Sequence, residues 1–361
     1  MCQMKVSESV GKGHPDKLCD IISDSILDEA LRLDKNARVA LETWTKGNDV
    51  GLIGEVTCNS KIDYEGIVRK TLKDIGYFDE EWGINPNTCI IHQNISEQSS
   101  EIAQGVDTDG AGDQGIMWGF ACDDTPEFLP KAQVLSNKLL KYLDELMREV
   151  DFIRPDMKSQ VILDDNDDIE KIILAIQHSP KVSEYDLKNF VLTDLLQKKL
   201  HIDLSPDRLI LNGTGKFCIG GPKADAGLTG RKIIVDTYGG EGRHGGGAFS
   251  GKDPSKVDRS GAYMARLIAK SLVASNYGKE AHVQLSYCIG VCKPQSLRII
   301  LDGKLASIDI HKKIRNSFDL TPAGIINYLN LKEPSGWSYK STASYGHFGK
   351  DNLPWEKVVH L

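Results

Sequence analysis

Nowhere does this chain carry an apolar run approaching the ~18 residues of a membrane span. Its first residues, MCQMKVSESVGKGHPDK, lack the apolar centre of a secretory signal. The eight cysteines form no CxxC pair, and Cys288 and Cys292, four apart, fit no zinc pattern. Reduced thiols in a cytoplasmic protein are therefore expected, with no membrane partner. Basic charge is not in excess either: a formal charge of −7 argues against a nucleic-acid binder, whose surface would be basic. With 40% hydrophobic and 26% charged residues, the composition excludes disorder and fibres. What remains is an ordinary globular chain of 361 residues, enough for two or three domains at roughly 100–200 residues each.

The cations that are present come in clusters, which suits a small anionic ligand. Between Arg231 and Arg259 a β-branched run, expected as a strand, leads into a loop with six glycines in the nine residues 239–247. Lys252, Asp253, Lys256, Asp258 and Arg259 follow at the mouth of a helix. Glycines let backbone N–H groups approach a ligand closely, and mixed lysine, arginine and carboxylate suit a polyphosphate with its divalent cation. Gly246, Gly251 and Lys252 come near the Walker A register, with Asp253 where a hydroxyl would hold magnesium. A plain surface loop before a helix is the competing account.

Apolar spacing divides the chain into three similar parts. Helices are expected over Asp16–Asp34 and Asp63–Gly76, around a hairpin in Arg38–Ser60 that turns at Gly47-Asn48-Asp49. Pro130–Val150 and Ser183–Leu200 flank a second strand pair in Lys158–Gln177, and Ser255–Ser275 with a broken helix over Ile310–Leu329 flank a third in His282–Leu301. The strand pairs recur at about 120 residues. This predicts an α+β fold of three sheet-and-helix units with an internal pseudo-threefold. The expected domains are 1–97, 98–218 and 219–361, with segments exchanged between them in space.

Other polar clusters punctuate these units. Glu8, His14, Asp16 and Lys17 crowd the start of the first helix, where Asp16 also suits a capping or dipole-compensating role. Gly110-Ala111-Gly112-Asp113-Gln114-Gly115 follows a polar stretch, Gln98–Asp109, suited to a lid. Arg154, Asp156 and Lys158 enter the second strand pair, and Lys216 and Phe217 lie among glycines, where an aromatic can stack on a base although a strand phenylalanine is more often core.

GHPDK at 13–17, GAGDQG at 110–115, GGGAFSGKD at 245–253 and YGHFG at 345–349 resemble the S-adenosylmethionine synthetase family, over nearly the whole chain. The resemblance implies three α+β domains with pseudo-threefold symmetry, in a homodimer or pair of dimers with active sites between subunits. It implies attack of the methionine sulfur on C5′ of ATP, then hydrolysis of the released tripolyphosphate to phosphate and diphosphate. By the same resemblance His14 lies at the ATP leaving oxygen. Asp16 and Asp258 bind Mg2+, two ions per site, and Glu42 serves K+. Lys158, Arg231, Lys232 and Lys252 hold the polyphosphate, with Arg231 serving its hydrolysis. Asp156, Lys216, Asp225 and Ala248 join the ATP site, and Phe217 stacks on adenine. Glu55, Gln98, Asp225 and Lys256 fix methionine, and Gln98 opens the family's gate, here short between Gln104 and Gly110. Where the family has Pro-x-Gly-Arg-Phe this chain has Gly213-Thr214-Gly215-Lys216-Phe217, trading arginine's planar fork for an ammonium. Two readings compete: an ordinary ATPase or kinase using the Gly246–Lys252 loop, and a catalytically silent nucleotide-binding paralogue.

Overall fold

The computed structural model describes residues 4–97 and 110–361. Its N-terminal third runs β1 (Lys5–Val10), α1 (Pro15–Leu33), β2 (Arg38–Lys46), β3 (Asp49–Thr57), α2 (Tyr64–Ile75) and β4 (Ile90–Ser96). The central third contains β5 (Gly115–Cys122), α3 (Lys131–Leu146), β6 (Ile153–Leu163), β7 (Ile169–His178), α4 (Glu184–Phe190) and β8 (Leu209–Leu211). The last third has α5 (Gly221–Ala224), β9 (Gly227–Leu228), α6 (Ile233–Asp236), α7 (Val257–Ala274), β10 (Glu280–Tyr287), β11 (Ser296–Leu301), β12 (Lys304–Leu305), α8 (Ile308–Ser317), α9 (Pro322–Tyr328) and α10 (Tyr339–Thr342).

The long elements follow their local signals. Pro15 opens α1, where its missing N–H costs nothing. Asp63 caps α2 through the Gly66 amide, and Gly76, in the left-handed region, ends it. Two expectations differ from the structure. The segment Ser183–Leu200 is α4 followed by wider π-helical turns over Val191–Lys199. Ile233–Asp236 is a helical turn, although its side chains favour a strand. There the Thr237 hydroxyl donates to the Ile233 carbonyl at 2.9 Å, and the Gly239 amide to that of Ile234. Local closure and burial of Val235 and Asp236 override propensity.

Three four-stranded sheets result, in orders β4-β3-β2-β9, β1-β6-β7-β8 and β12-β11-β10-β5. Each is built on an antiparallel hairpin from one third and completed by a strand from another. β9 pairs with β2, β1 with β6, and β5 with β10. Three apolar cores lie beneath them: α1 and α2 on the first sheet, α3 and α4 on the second, α7 and α9 on the third.

Helix α1 is unusual among these, because one stripe of its buried surface is charged. Asp16, Asp20, Asp24 and Asp28 recur every fourth residue, one winding stripe of a 3.6-residue helix. Each accepts backbone amides from the last third: Leu228 on Asp16 at 3.0 Å, Gly230 on Asp20 at 2.8 Å, Gly251 on Asp24 at 2.9 Å. Asp28 takes those of Tyr339 and Lys340 at 2.8 and 2.9 Å. Asp24 also holds the fully buried Arg259 in a two-pronged pair, at 2.7 and 2.9 Å. Arg259 in turn reaches the carbonyls of Phe249 and Lys252 and the hydroxyl of Tyr263.

Asp24→Ala would strand that guanidinium without a counter-charge. It is expected to lower unfolding free energy by about 3–5 kcal/mol, read from urea denaturation. A loss under about 1 kcal/mol, the scale of an exposed pair, would refute the anchoring role.

Candidate active site

The site is assembled at the N-terminus of α1. Gly13 packs so closely on β6 that a Cβ there would stand 2.3 Å from that of Pro155, so the loop before α1 lies directly against the strand. His14 is the N-cap: its Nδ1 accepts the Asp16 amide at 3.2 Å. Asp16 is thus a first-turn residue and not the cap. A main-chain N–H can only donate, so Nδ1 presents its lone pair and the imidazole proton sits on Nε2. Burial, reinforced by the Lys232 charge and by Lys158 and Lys17, drives His14 down to about 3. At neutral pH it is an uncharged Nε2–H donor.

Around it stand the cations. Burial would raise the Asp16 carboxyl, but hydrogen bonds from Lys232 and the Leu228 amide hold it below its usual range. Lys232 Nζ lies 2.5 Å from Asp16, and the largely exposed Arg231 lies 3.7 Å from it. On β6 the pairing register is irregular between Ile153 and Met157, as bulges beside active sites often are. Asp156 is buried there with the Gly221 amide on it at 2.8 Å, while Lys158 is exposed. Burial pushes Asp156 up to about 6 against the pull of that amide and of Lys158. Asp225, exposed, ends α5. Lys216 and Phe217 lie in coil and not in a strand; Phe217 is half-buried and pairs through its backbone with His178 at 2.9 and 3.2 Å.

The remaining candidates form a second group around Ala40 of β2. Lys252 bridges Ala40 on one side, and Glu55 is its partner across β3 on the other. Lys252 Nζ contacts Asp258 at 2.5 Å. Lys256 contacts Asp253 at 2.6 Å. Glu42 and Glu55 point to the exposed face of this sheet, whereas Thr43 faces α1 and meets Ser23 at 2.8 Å. Asp16 and the two glutamates therefore lie on opposite sides of one sheet. Ala248 sits between the groups, its methyl beside Gly230. No hydrogen bond or ion pair among the described residues joins the first group to the second. Gln98 and the stretch to Asp109 lie outside the described residues.

The glycine loop itself is not a Walker-type cradle. The Gly246 amide donates to His244 at 2.7 Å and that of Gly251 to Asp24. Asp253 is buried and takes the amides of Val39 and Ser255 at 2.8 and 2.9 Å, so it docks the loop on β2. The segment before the loop is a helical turn, not the strand a phosphate loop requires. Residues that spacing did not single out also matter here. Lys17, grouped above with His14 and Asp16, is fully buried, as is Asp20, and Asp236 nearly so; of these only Asp20 carried a signal, the fourfold aspartate spacing.

Among the described residues no three His, Cys, Asp or Glu side chains cluster as a metal site. One carboxylate apiece from Asp16 and Asp258 still suits magnesium, which typically takes one or two carboxylates and completes its shell with phosphate oxygens and water.

The chain matches family models for the N-terminal, central and C-terminal domains of S-adenosylmethionine synthetase, at residues 3–100, 108–217 and 219–357. It is similar to the S-adenosylmethionine synthase of Desulfosudis oleivorans, 46% identical over 371 residues, covering 98% of this chain and 95% of the relative. It is likewise similar to that of Mesoplasma florum, 46% identical over 372 residues, covering 99% and 98%.

The His14 geometry sets a pH dependence. Between about 6.5 and about 3 the unfolded chain takes a proton that the folded one refuses, so stability is lost as pH is lowered through that window. His14→Asn, which retains an acceptor for the Asp16 amide, should flatten this part of the profile. Urea titrations at several pH values through the window measure it, and an unchanged slope would count against a neutral His14.

Proposed function

The chain belongs to the S-adenosylmethionine synthetase family, and we propose how its own residues carry out the reaction. It makes S-adenosylmethionine; the family's substrates are ATP and methionine, and it uses metal ions. The methionine sulfur attacks C5′ of the ribose, the C5′–O bond breaks, and its electron pair leaves on the triphosphate. A thioether has no proton to lose, so the step needs orientation and charge stabilisation rather than a base. One observation carries this reading. His14, its Nδ1 satisfied by the Asp16 amide, presents a neutral Nε2–H beside Lys158 and Lys232.

In this reading the Nε2–H donates to the departing oxygen while Lys158, Arg231, Lys232 and Lys252 take the phosphates. Asp16 and Asp258 would hold Mg2+, two ions per site, whose charge would help neutralise the phosphates, and Glu42 would serve K+. Arg231, exposed beside Asp16, attends the hydrolysis of tripolyphosphate to phosphate and diphosphate. Asp156, Lys216, Asp225 and Ala248 line the nucleotide, and Phe217 stacks on adenine. Glu55, Gln98, Asp225 and Lys256 fix methionine, ammonium to carboxylate and carboxylate to ammonium.

The working form is a homodimer, alone or paired, with each site between subunits. Support comes from the sheet that separates Asp16 from Glu42 and Glu55 within one chain: a second copy brings the two groups face to face. The cyclic lending of β1, β5 and β9 supports three pseudo-threefold units, with boundaries near 97 and 218. The seven described cysteines, none in a disulfide, suit the cytoplasm. A silent paralogue is not favoured, since Asp16, Lys158, Arg231, Lys252 and Asp258 are all in place.

Incubation with ATP, methionine, Mg2+ and K+ should yield S-adenosylmethionine with equal phosphate and diphosphate by mass spectrometry and phosphate analysis. ADP alone, or bound but unconverted ATP, would reject the mechanism. Lys232→Ala and Lys252→Ala are each expected to lose roughly 10²–10³ in turnover. Refolded together in equal amounts, they should recover about a quarter of wild-type activity, because half the dimers then carry one intact site of two. No recovery would place both groups of a site on one chain.

A further inference from the structure

We infer that Lys17 is a positioning residue that holds the segment Leu228–Asp236, and with it Arg231 and Lys232, at the N-terminus of α1. The inference rests on the reading above, in which those two cations receive the phosphates. Lys17 is wholly buried, as is Asp20, and Asp236 nearly so, so none of them can touch a ligand. Its ammonium donates to Asp20 at 2.7 Å and, more closely still, to Asp236.

Each partner then reaches one flank of the cation pair. Asp20 turns its other oxygen to the Gly230 amide at 2.8 Å, the residue immediately before Arg231. Asp236 donates its own amide to the Lys232 carbonyl at 2.9 Å, closing the helical turn that begins at Lys232. The Asp236 carbonyl receives the His347 amide at 2.8 Å, which fixes that end to the C-terminal loop. One ammonium thus pins both ends of a short segment whose middle carries the phosphate-binding charges. Removing it would leave Asp20 and Asp236 buried together, with Asp24 a turn away, and like charges at such depth separate or take up protons. Either response moves Arg231 and Lys232.

The test uses the full-length enzyme, Lys17→Met and Lys17→Met/Asp236→Asn, with three readouts: melting temperature, calorimetric binding of inorganic tripolyphosphate with Mg2+, and steady-state kinetics. Lys17→Met should weaken tripolyphosphate binding about tenfold or more and slow turnover on the order of 10²-fold, since small displacements of positioning groups have such effects. KM for methionine should stay within about twofold, because Glu55 and Lys256 lie in the other group and Asp225 precedes the segment that Lys17 pins. The double variant removes one of the two stranded carboxylates and should regain part of the melting temperature without regaining tripolyphosphate affinity, as the ammonium that ties the turn at Lys232 to α1 is still missing. Recovery of both together, or unaltered affinity in Lys17→Met, would overturn the positioning role. If neither variant folds, Asp20→Ala severs the Gly230 branch alone and must show the affinity loss; normal binding there overturns the proposal. Wild-type enzyme that ignores tripolyphosphate would overturn the functional reading itself, and this inference with it.

Discussion

Everything in this fold is arranged around a charged helix in a core. Fifteen residues of α1 are buried, among them Asp16, Lys17, Asp20 and Asp24. Taking such groups out of water costs several kcal/mol per ion unless each finds a partner. Each does, and the partners come from more than two hundred positions further along the chain. Leu228, Gly230 and Gly251 give amides, and Arg259 gives its guanidinium. An apolar helix would tolerate sliding or turning in its groove. This one would strand several charges at once, against a net stability of only about 5–15 kcal/mol for a typical protein. The ladder therefore fixes the register between the first and last thirds, and the site sits at its upper end.

Because the anchors are also neighbours of the chemistry, fold and site share residues. Asp16 accepts the Leu228 amide and at the same time faces Lys232 and Arg231. The Asp16 amide fixes the His14 tautomer. Lys252 follows Gly251, whose amide is held by Asp24. The groups proposed to meet phosphate are thus held by main-chain hydrogen bonds to a rigid helix instead of by loop conformation alone. Such preorganisation spares the reaction the cost of gathering like charges as the leaving group forms.

The sequence made the long elements legible because their signals are local. Apolar spacing located α1, α2, α3 and α7, and the turn at Gly47-Asn48-Asp49 located the first hairpin. The family's motifs brought His14, Asp16, Lys158 and Lys232 together as candidates. Exchange of segments between the thirds was expected, but which strands are lent, β1, β5 and β9, was not legible, since strand pairing at long range leaves no periodic trace. Ile233–Asp236 misled because β-branched residues favour strands, whereas its closure depends on Thr237, Gly239 and a buried Lys17. The aspartates of α1 stood in plain view at fourfold spacing, yet such a stripe ordinarily marks a solvent face. Only their burial reveals them as anchors, and burial is a property of the partners.

The overall charge of −7 shows the same gap between average and local properties. A net negative chain repels polyanions at long range, but at physiological salt the Debye length is about 8 Å. A phosphate at the N-terminus of α1 senses Lys158, Arg231 and Lys232 within that distance far more than acidic residues elsewhere. His14 adds no positive charge there, being kept neutral by burial and by Lys232, Lys158 and Lys17. In the proposed reaction that neutrality is useful: an imidazolium would already hold the bound triphosphate strongly before the C5′–O bond breaks. A neutral Nε2–H, in the role proposed for it, would bind the ground state only weakly and gain as negative charge develops on the leaving oxygen, so its contribution would fall mainly on the transition state.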